Sequence, residues 1–168
     1  FLVVNYLMEV KSLKMKILYI CTHNRCRSIL SEAITNSIAG KNIEARSAGS
    51  QPAGIVHPLS LKYLEQAGYS IAGLKSQSWD DFADFQPDVV VTVCDSAAGE
   101  TCPVYFGKSL KVHWGLSDPS KIEGEGSEAA FLACIAEIVA RVEKLNEIAT
   151  KSLEREALRS ELAAVGAK

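Results

Sequence analysis

Apolar residues fall in two kinds of pattern along this chain. Ile17-Leu18-Tyr19-Ile20 and Val89-Val90-Val91-Thr92-Val93 are continuous runs without polar alternation. Runs of that length, rich in β-branched residues, suit strands buried on both faces of a parallel sheet. Residues 16–20 and 89–93 are therefore predicted strands, and the shorter runs at 43–47 and 110–114 predict two more. Between them the apolar residues recur every three or four positions. Ile29, Leu30, Ala33, Ile34 and Ile38 predict a helix over 28–39, ended by Gly40. Leu61, Leu64 and Ala67 predict a second, opened by His57-Pro58 and stopped by Gly68. A third runs over 127–147 with Ser127 as its expected N-cap, and 151–168 is a more charged helical stretch. Residues 73–81 show no clear period and read as loop with a short helix.

Strands alternating with helices predict an α/β fold: three layers around a doubly wound, four-stranded parallel sheet. In such folds ligands sit beyond the carboxyl ends of the strands. Cys21 ends the first strand, Cys94 ends the third and Asp118 lies just past the fourth, so all three are expected at one mouth. The 168 residues suit one domain. We expect a single catalytic domain over 15–147, an amino-terminal extension over 1–14 with a natural start at Met15, and a carboxyl-terminal helical tail over 148–168.

Composition narrows the function classes. A net charge of −2 offers no argument for nucleic acid or an anionic membrane surface as partner. No apolar run approaches the length of a membrane span. Five cysteines, an odd number without regular spacing, argue against a secreted disulfide framework and for a reducing, cytoplasmic setting.

The chemistry concentrates in Cys21-Thr22-His23-Asn24-Arg25-Cys26-Arg27-Ser28, between the first strand and the first helix. In a strand–loop–helix junction the N–H groups converge and the helix dipole adds positive charge, which makes an anion site. Cys21 at the start of that loop is expected as a thiolate nucleophile, helped by the loop amides and Ser28. Arg27 offers a planar fork to a tetrahedral oxyanion. The duller reading is a buried strand-end cysteine beside an unrelated Arg-Ser pair. A zinc site on Cys21, His23 and Cys26 lacks a second pair of ligands, so no metal is expected. Cys94 and Cys102 bracket a loop containing the permissive Ala97-Ala98-Gly99, which suggests a redox pair. Asp118-Pro119 is either a turn or the position of a general acid. His57, His113, Cys26 and Cys134 read as structural.

Cys21-x5-Arg27-Ser28, with Asp118-Pro119 late in the chain, resembles the low-molecular-weight protein tyrosine phosphatases. Cys94, Cys102-Pro103 and His113-Trp114-Gly115 make the chain similar to the thioredoxin-coupled arsenate reductases of that fold, over about residues 15 to 145. Ser120 stands where many of the phosphatases carry tyrosine after Asp-Pro. The resemblance implies that arsenate binds residues 22–27 under Arg27, that Cys21 attacks arsenic and that Asp118 protonates the departing oxygen. It further implies that Cys94 then forms a Cys21–Cys94 disulfide with release of arsenite, and that Cys102 converts it to Cys94–Cys102. No bound cofactor is expected. The implied reductant is thioredoxin, with glutaredoxin and glutathione left open, and phosphate or sulfate should compete with arsenate. The alternative is a tyrosine phosphatase working through a Cys21 phosphoenzyme. Some relatives bind potassium beside the loop; Glu32 and Ser47 match parts of that site, but no ion is predicted.

Overall fold

A computed structural model describes residues 14–100, 102–151 and 153–166. Residues 1–13 of the expected extension lie outside the described residues. Four strands, β1 (Met15–Ile20), β2 (Ile43–Ala48), β3 (Val89–Thr92) and β4 (Leu110–His113), form one parallel sheet in the order β2-β1-β3-β4. Five helices accompany it among the described residues: α1 (Arg27–Ala39), α2 (Pro58–Gln66), α3 (Asp95–Ala98), α4 (Ser127–Ala149) and α5 (Arg155–Gly166). The chain winds outward one way from β1 to β2 and the other way through β3 to β4, which places helices on both faces of the sheet. The expected doubly wound α/β architecture is the one observed.

Burial follows strand position. Ile17 to Ile20 and Val89 to Val91 occupy the centre and are buried throughout. Edge strand β4 alternates, with Leu110 and Val112 inward and Lys111 and His113 outward. Continuous runs thus marked the central strands, and alternation marked the edge. Buried Tyr19 satisfies its hydroxyl against Thr35 Oγ1 of α1 at 2.8 Å. The helix α2 stops where Gly68 takes a positive φ of 90°.

Two local expectations differ from the structure. Ser127 is the first residue of α4 rather than its N-cap, because the 3-10 turn Gly124–Gly126 runs directly into the helix and leaves Gly126 at the capping position. The stretch after Cys94, read as loop, contains the four-residue α3, too short to show a period.

The winding reverses between neighbouring β1 and β3, opening a crevice beyond their carboxyl ends. Ile20 pairs with Thr92 and its carbonyl accepts from Val93 N, so Cys21 and, one residue further along its own strand, Cys94 leave the sheet as neighbours. At the β4 end, Trp114 is buried against α5, whose Leu162 carbonyl accepts from Trp114 Nε1 at 2.8 Å. The stretch after Trp114 is thereby fixed on its way to Asp118.

Candidate active site

The loop over 21–26 is held from outside by its carbonyls. Thr22 O accepts from Gln51 N, His23 O from Ala53 N and Arg25 O from His57 N, each at 2.9 Å. Gly49 lets the neighbouring strand end come this close, since a Cβ there would lie 2.4 Å from Thr22 O and 2.7 Å from Cys21 O. With these carbonyls turned outward, the amides are left to the mouth; Thr22 N donates into it, to Cys94 Sγ at 3.4 Å. Asn24 makes the sharp bend with φ of 46°. Buried, it donates from Nδ2 to Ser28 Oγ at 2.8 Å and accepts from Gln77 N at 2.8 Å. Cys26 caps α1 without a side-chain bond, so the first amides of the helix open toward the loop. This is a nest for a tetrahedral anion beside a helix N-terminus.

Arg27 and Asp118 close one side. Arg27 Nη1 donates to Leu116 O at 2.9 Å, and Nη2 lies 3.5 Å from Asp118 Oδ2. Its Nε is buried with no hydrogen-bond partner among the described residues, a donor that a bound oxyanion would satisfy. Arg141 supports this arrangement from beneath. It is buried on α4, donates to the carbonyls of Trp114 and Gly115 at 3.1 and 3.3 Å, and pairs with Glu137 at 3.0 Å. Asp118 Oδ1 accepts from Ser120 N at 3.0 Å and from Ser120 Oγ at 2.6 Å. Burial raises the Asp118 pKa, but the Ser120 bonds and Arg27 outweigh it and hold the carboxyl below its ordinary value. Asp118 is thus both turn cap and charged partner of Arg27.

The two sulfurs at the crevice meet. The Cys21 thiol donates to Cys94, which also accepts from the N–H groups of Thr22 and Ala97. The Cys21 bond, with the amides behind it, lowers the Cys94 pKa to about 5 against the opposing effect of burial. Cys21 shifts upward, first because its proton is held by Cys94 and then through burial, against Arg27 and the His23 amide. The two thiols titrate as a coupled pair, with the Cys94 value shifted down and the Cys21 value shifted up. The loop amide of Thr22 goes to the second sulfur, and Ser28 is engaged by Asn24. Because the Cys94 value is depressed on folding, its contribution to stability is present above the unfolded thiol's pKa and is lost as pH falls through about 5. Thiolate ultraviolet absorbance should show a step near that pH in the reduced protein, and brief alkylation of the unmodified protein at neutral pH should label Cys94; label found on Cys21 instead would assign the charge there.

Cys102 is not part of this cluster. Half-buried, it lines a cavity of about 470 Å³ beside β3 and β4 with Thr92, Lys111 and His113, which neither Cys21 nor Cys94 lines. His113 bonds Thr92 Oγ1 at 2.7 Å and Asp95 Oδ1 at 3.0 Å, and His57 Nδ1 accepts from Leu59 N at the start of α2. Burial pushes Cys26 up to about 11 and Cys134 up to about 12, which leaves both as packing thiols. His23 is exposed, its Nδ1 3.1 Å from Gln51 O. Ser47 donates to Glu32 at 2.6 Å. Asn24's tie to Gln77, the buried Arg141 and Glu100, whose carboxylate accepts from Thr22 Oγ1 at 3.2 Å and from Ser50 Oγ, were not singled out in the sequence. Only their fold neighbours give them roles.

Residues 16–159 match the pattern of the family described as low molecular weight phosphotyrosine protein phosphatase. An arsenate reductase of Halalkalibacterium halodurans is 34% identical over 136 residues, covering 80% of this chain and 96% of that protein. A thioredoxin-dependent arsenate reductase of Corynebacterium glutamicum superposes with a TM-score of 0.66 at 30% identity, over 87% of this chain and 67% of that one. An arsenate reductase in its phosphate-binding state superposes with a TM-score of 0.67 at 27% identity, over 79% of this chain and 97% of that one.

Proposed function

The chain belongs to the low molecular weight phosphotyrosine protein phosphatase family, and from that premise we propose that it reduces arsenate to arsenite through a relay of three thiols. The observation that carries this reading is the contact between Cys94 and Cys21 at the anion loop. Ester hydrolysis needs one sulfur there. A second sulfur beside the first, its pKa shifted down, supports a relay in which Cys94 attacks Cys21. The similarity to arsenate reductases over most of the chain supports the same substrate.

The chemistry balances on these residues. Cys21 attacks arsenic of the bound oxyanion, a sulfur–arsenic bond forms, and one hydroxyl leaves as water. The proton for that water comes from the Cys21 thiol, carried by Asp118, which the Ser120 bonds and Arg27 keep ready as a carboxylate. Cys94 thiolate then attacks Cys21 sulfur. The electron pair of the sulfur–arsenic bond stays on arsenic, which falls from the +5 to the +3 state and leaves as arsenite, while the sulfurs form a disulfide. Cys102 next attacks Cys94, freeing Cys21 and leaving Cys94–Cys102 for an external dithiol. Thioredoxin is the proposed donor, supported by the thioredoxin-dependent neighbour. No bound cofactor enters the scheme. The five cysteines are free, as this cycle requires, which fits a reducing cytoplasm. Among the described residues no helix is long and apolar enough to cross a membrane.

Arsenate-dependent NADPH oxidation in the presence of thioredoxin and thioredoxin reductase tests the proposal. Oxidation should require arsenate, thioredoxin and this chain together. Hydrolysis of an aryl phosphate without any arsenate-dependent oxidation would favour the phosphatase reading instead.

A further inference from the structure

Cys94 and Cys102 lie at either end of a short segment that is fastened to the anion loop near its far end. The Glu100 carboxylate accepts from Thr22 Oγ1 at 3.2 Å and from Ser50 Oγ. Thr22 is the first residue of the oxyanion loop, and its own N–H points at Cys94. A negative charge is therefore held against a site built for anions, two residues before Cys102. The other fastening, Asp95 to His113 at 3.0 Å, involves a carboxylate whose side chain is 97% exposed and contributes little hold. Glu100 is half-buried and takes two hydroxyl donors, so it is the stronger tie.

We propose that Glu100 is a clamp that oxyanion binding opens, so that occupancy of the loop by arsenate releases the Cys102 segment. This rests on reading residues 21–28 as an oxyanion site. A bound arsenate or phosphate carries one to two negative charges within a few ångströms of the Thr22 hydroxyl. It repels the Glu100 carboxylate and competes for the same donor. Once Glu100 lets go, the backbone turn bonds of α3 and the buried Ala97 are what remain, among the described residues, to resist rearrangement of the segment holding Ala97, Ala98 and Gly99. The cavity of about 470 Å³ beside Cys102 gives it room. Cys102 would then approach Cys94 only after substrate has entered, which protects the resting enzyme from closing Cys94–Cys102 without turnover. Binding free energies are reciprocal: if the anion opens the clamp, removing the clamp must tighten the anion.

Inorganic phosphate is the probe, with its Kd for the reduced full-length chain measured by calorimetry and Cys102 alkylation measured by peptide mass spectrometry. In the unmodified protein, saturating phosphate should raise the alkylation rate of Cys102 severalfold. Glu100→Gln preserves shape and removes the charge; it should bind phosphate about tenfold more tightly. It should also alkylate at Cys102 rapidly without phosphate. Ser50→Ala keeps the charge and removes one fastening, so it should raise phosphate-free Cys102 alkylation by about threefold or more. A Cys102 rate indifferent to phosphate, or a Kd unchanged in Glu100→Gln, overturns the clamp while leaving the oxyanion site standing. Absence of phosphate binding to the unmodified chain removes the site and the clamp together.

Discussion

Cys21→Ser should abolish both arsenate reduction and any hydrolysis of aryl phosphates, by about four orders of magnitude or more in turnover. Both reactions begin with the same sulfur bonding to the central atom of the oxyanion, and a serine hydroxyl is not ionised there at neutral pH. The loop itself should survive. Its shape is set by Asn24, by the outward bonds of the Thr22, His23 and Arg25 carbonyls and by the close approach of Gly49, none of which uses the Cys21 sulfur. Phosphate should therefore bind Cys21→Ser within a few-fold of the unmodified affinity, which separates a missing nucleophile from a collapsed site. Retained arsenate turnover in that variant would remove Cys21 from the centre of the chemistry.

The sheet and the anion loop were legible because their signals are local. Continuous β-branched runs at 17–20 and 89–93 marked the strands on either side of the winding reversal, and Cys21-x5-Arg27-Ser28 sits in one stretch of chain. The convergence of Cys21 and Cys94 followed from strand ends alone. What stayed hidden depends on contacts between distant residues. The balance between Cys21 and Cys94 rests on their mutual hydrogen bond and then on the Thr22 amide, which reaches a sulfur 72 residues away. A motif in the sequence shows that amides will converge, but not which sulfur receives them. Arg141 reads as one more cation on a long helix until Trp114 and Gly115 turn their carbonyls to it. Glu100 falls in a stretch remarkable in sequence only for small residues, and its place against Thr22 and Ser50 exists only once β1, β2 and β3 have brought three loops together. Of the Asp118-Pro119 alternatives the structure shows the turn: the carboxylate caps it through Ser120 and faces Arg27 at the same time, which leaves the acid role to the proposed mechanism.

Cys94→Ser and Cys102→Ser should each stop multiple-turnover arsenate reduction while leaving aryl phosphate hydrolysis within a few-fold of the unmodified rate. In the proposed relay Cys21, Arg27 and Asp118 suffice for ester cleavage, whereas electrons leave only through the other two thiols. The variants should stall at different bonds. In Cys102→Ser, Cys94 still sits against Cys21, so one equivalent of arsenate should release arsenite and trap a Cys21–Cys94 disulfide. In Cys94→Ser that bond is impossible. Cys102 lies on the separate cavity beside β4, and the sulfur–arsenic adduct on Cys21 should persist until an outside thiol attacks it. Cys94→Ser also removes the group that holds the Cys21 proton, so the Cys21 pKa should fall toward the range its loop amides and Arg27 favour, and its alkylation at neutral pH should speed up. Mass spectrometry of peptides after a single arsenate equivalent reads each of these bonds directly. If both variants turn over normally with thioredoxin, electrons do not pass through Cys94 and Cys102, and the contact between the two sulfurs at the loop has another purpose.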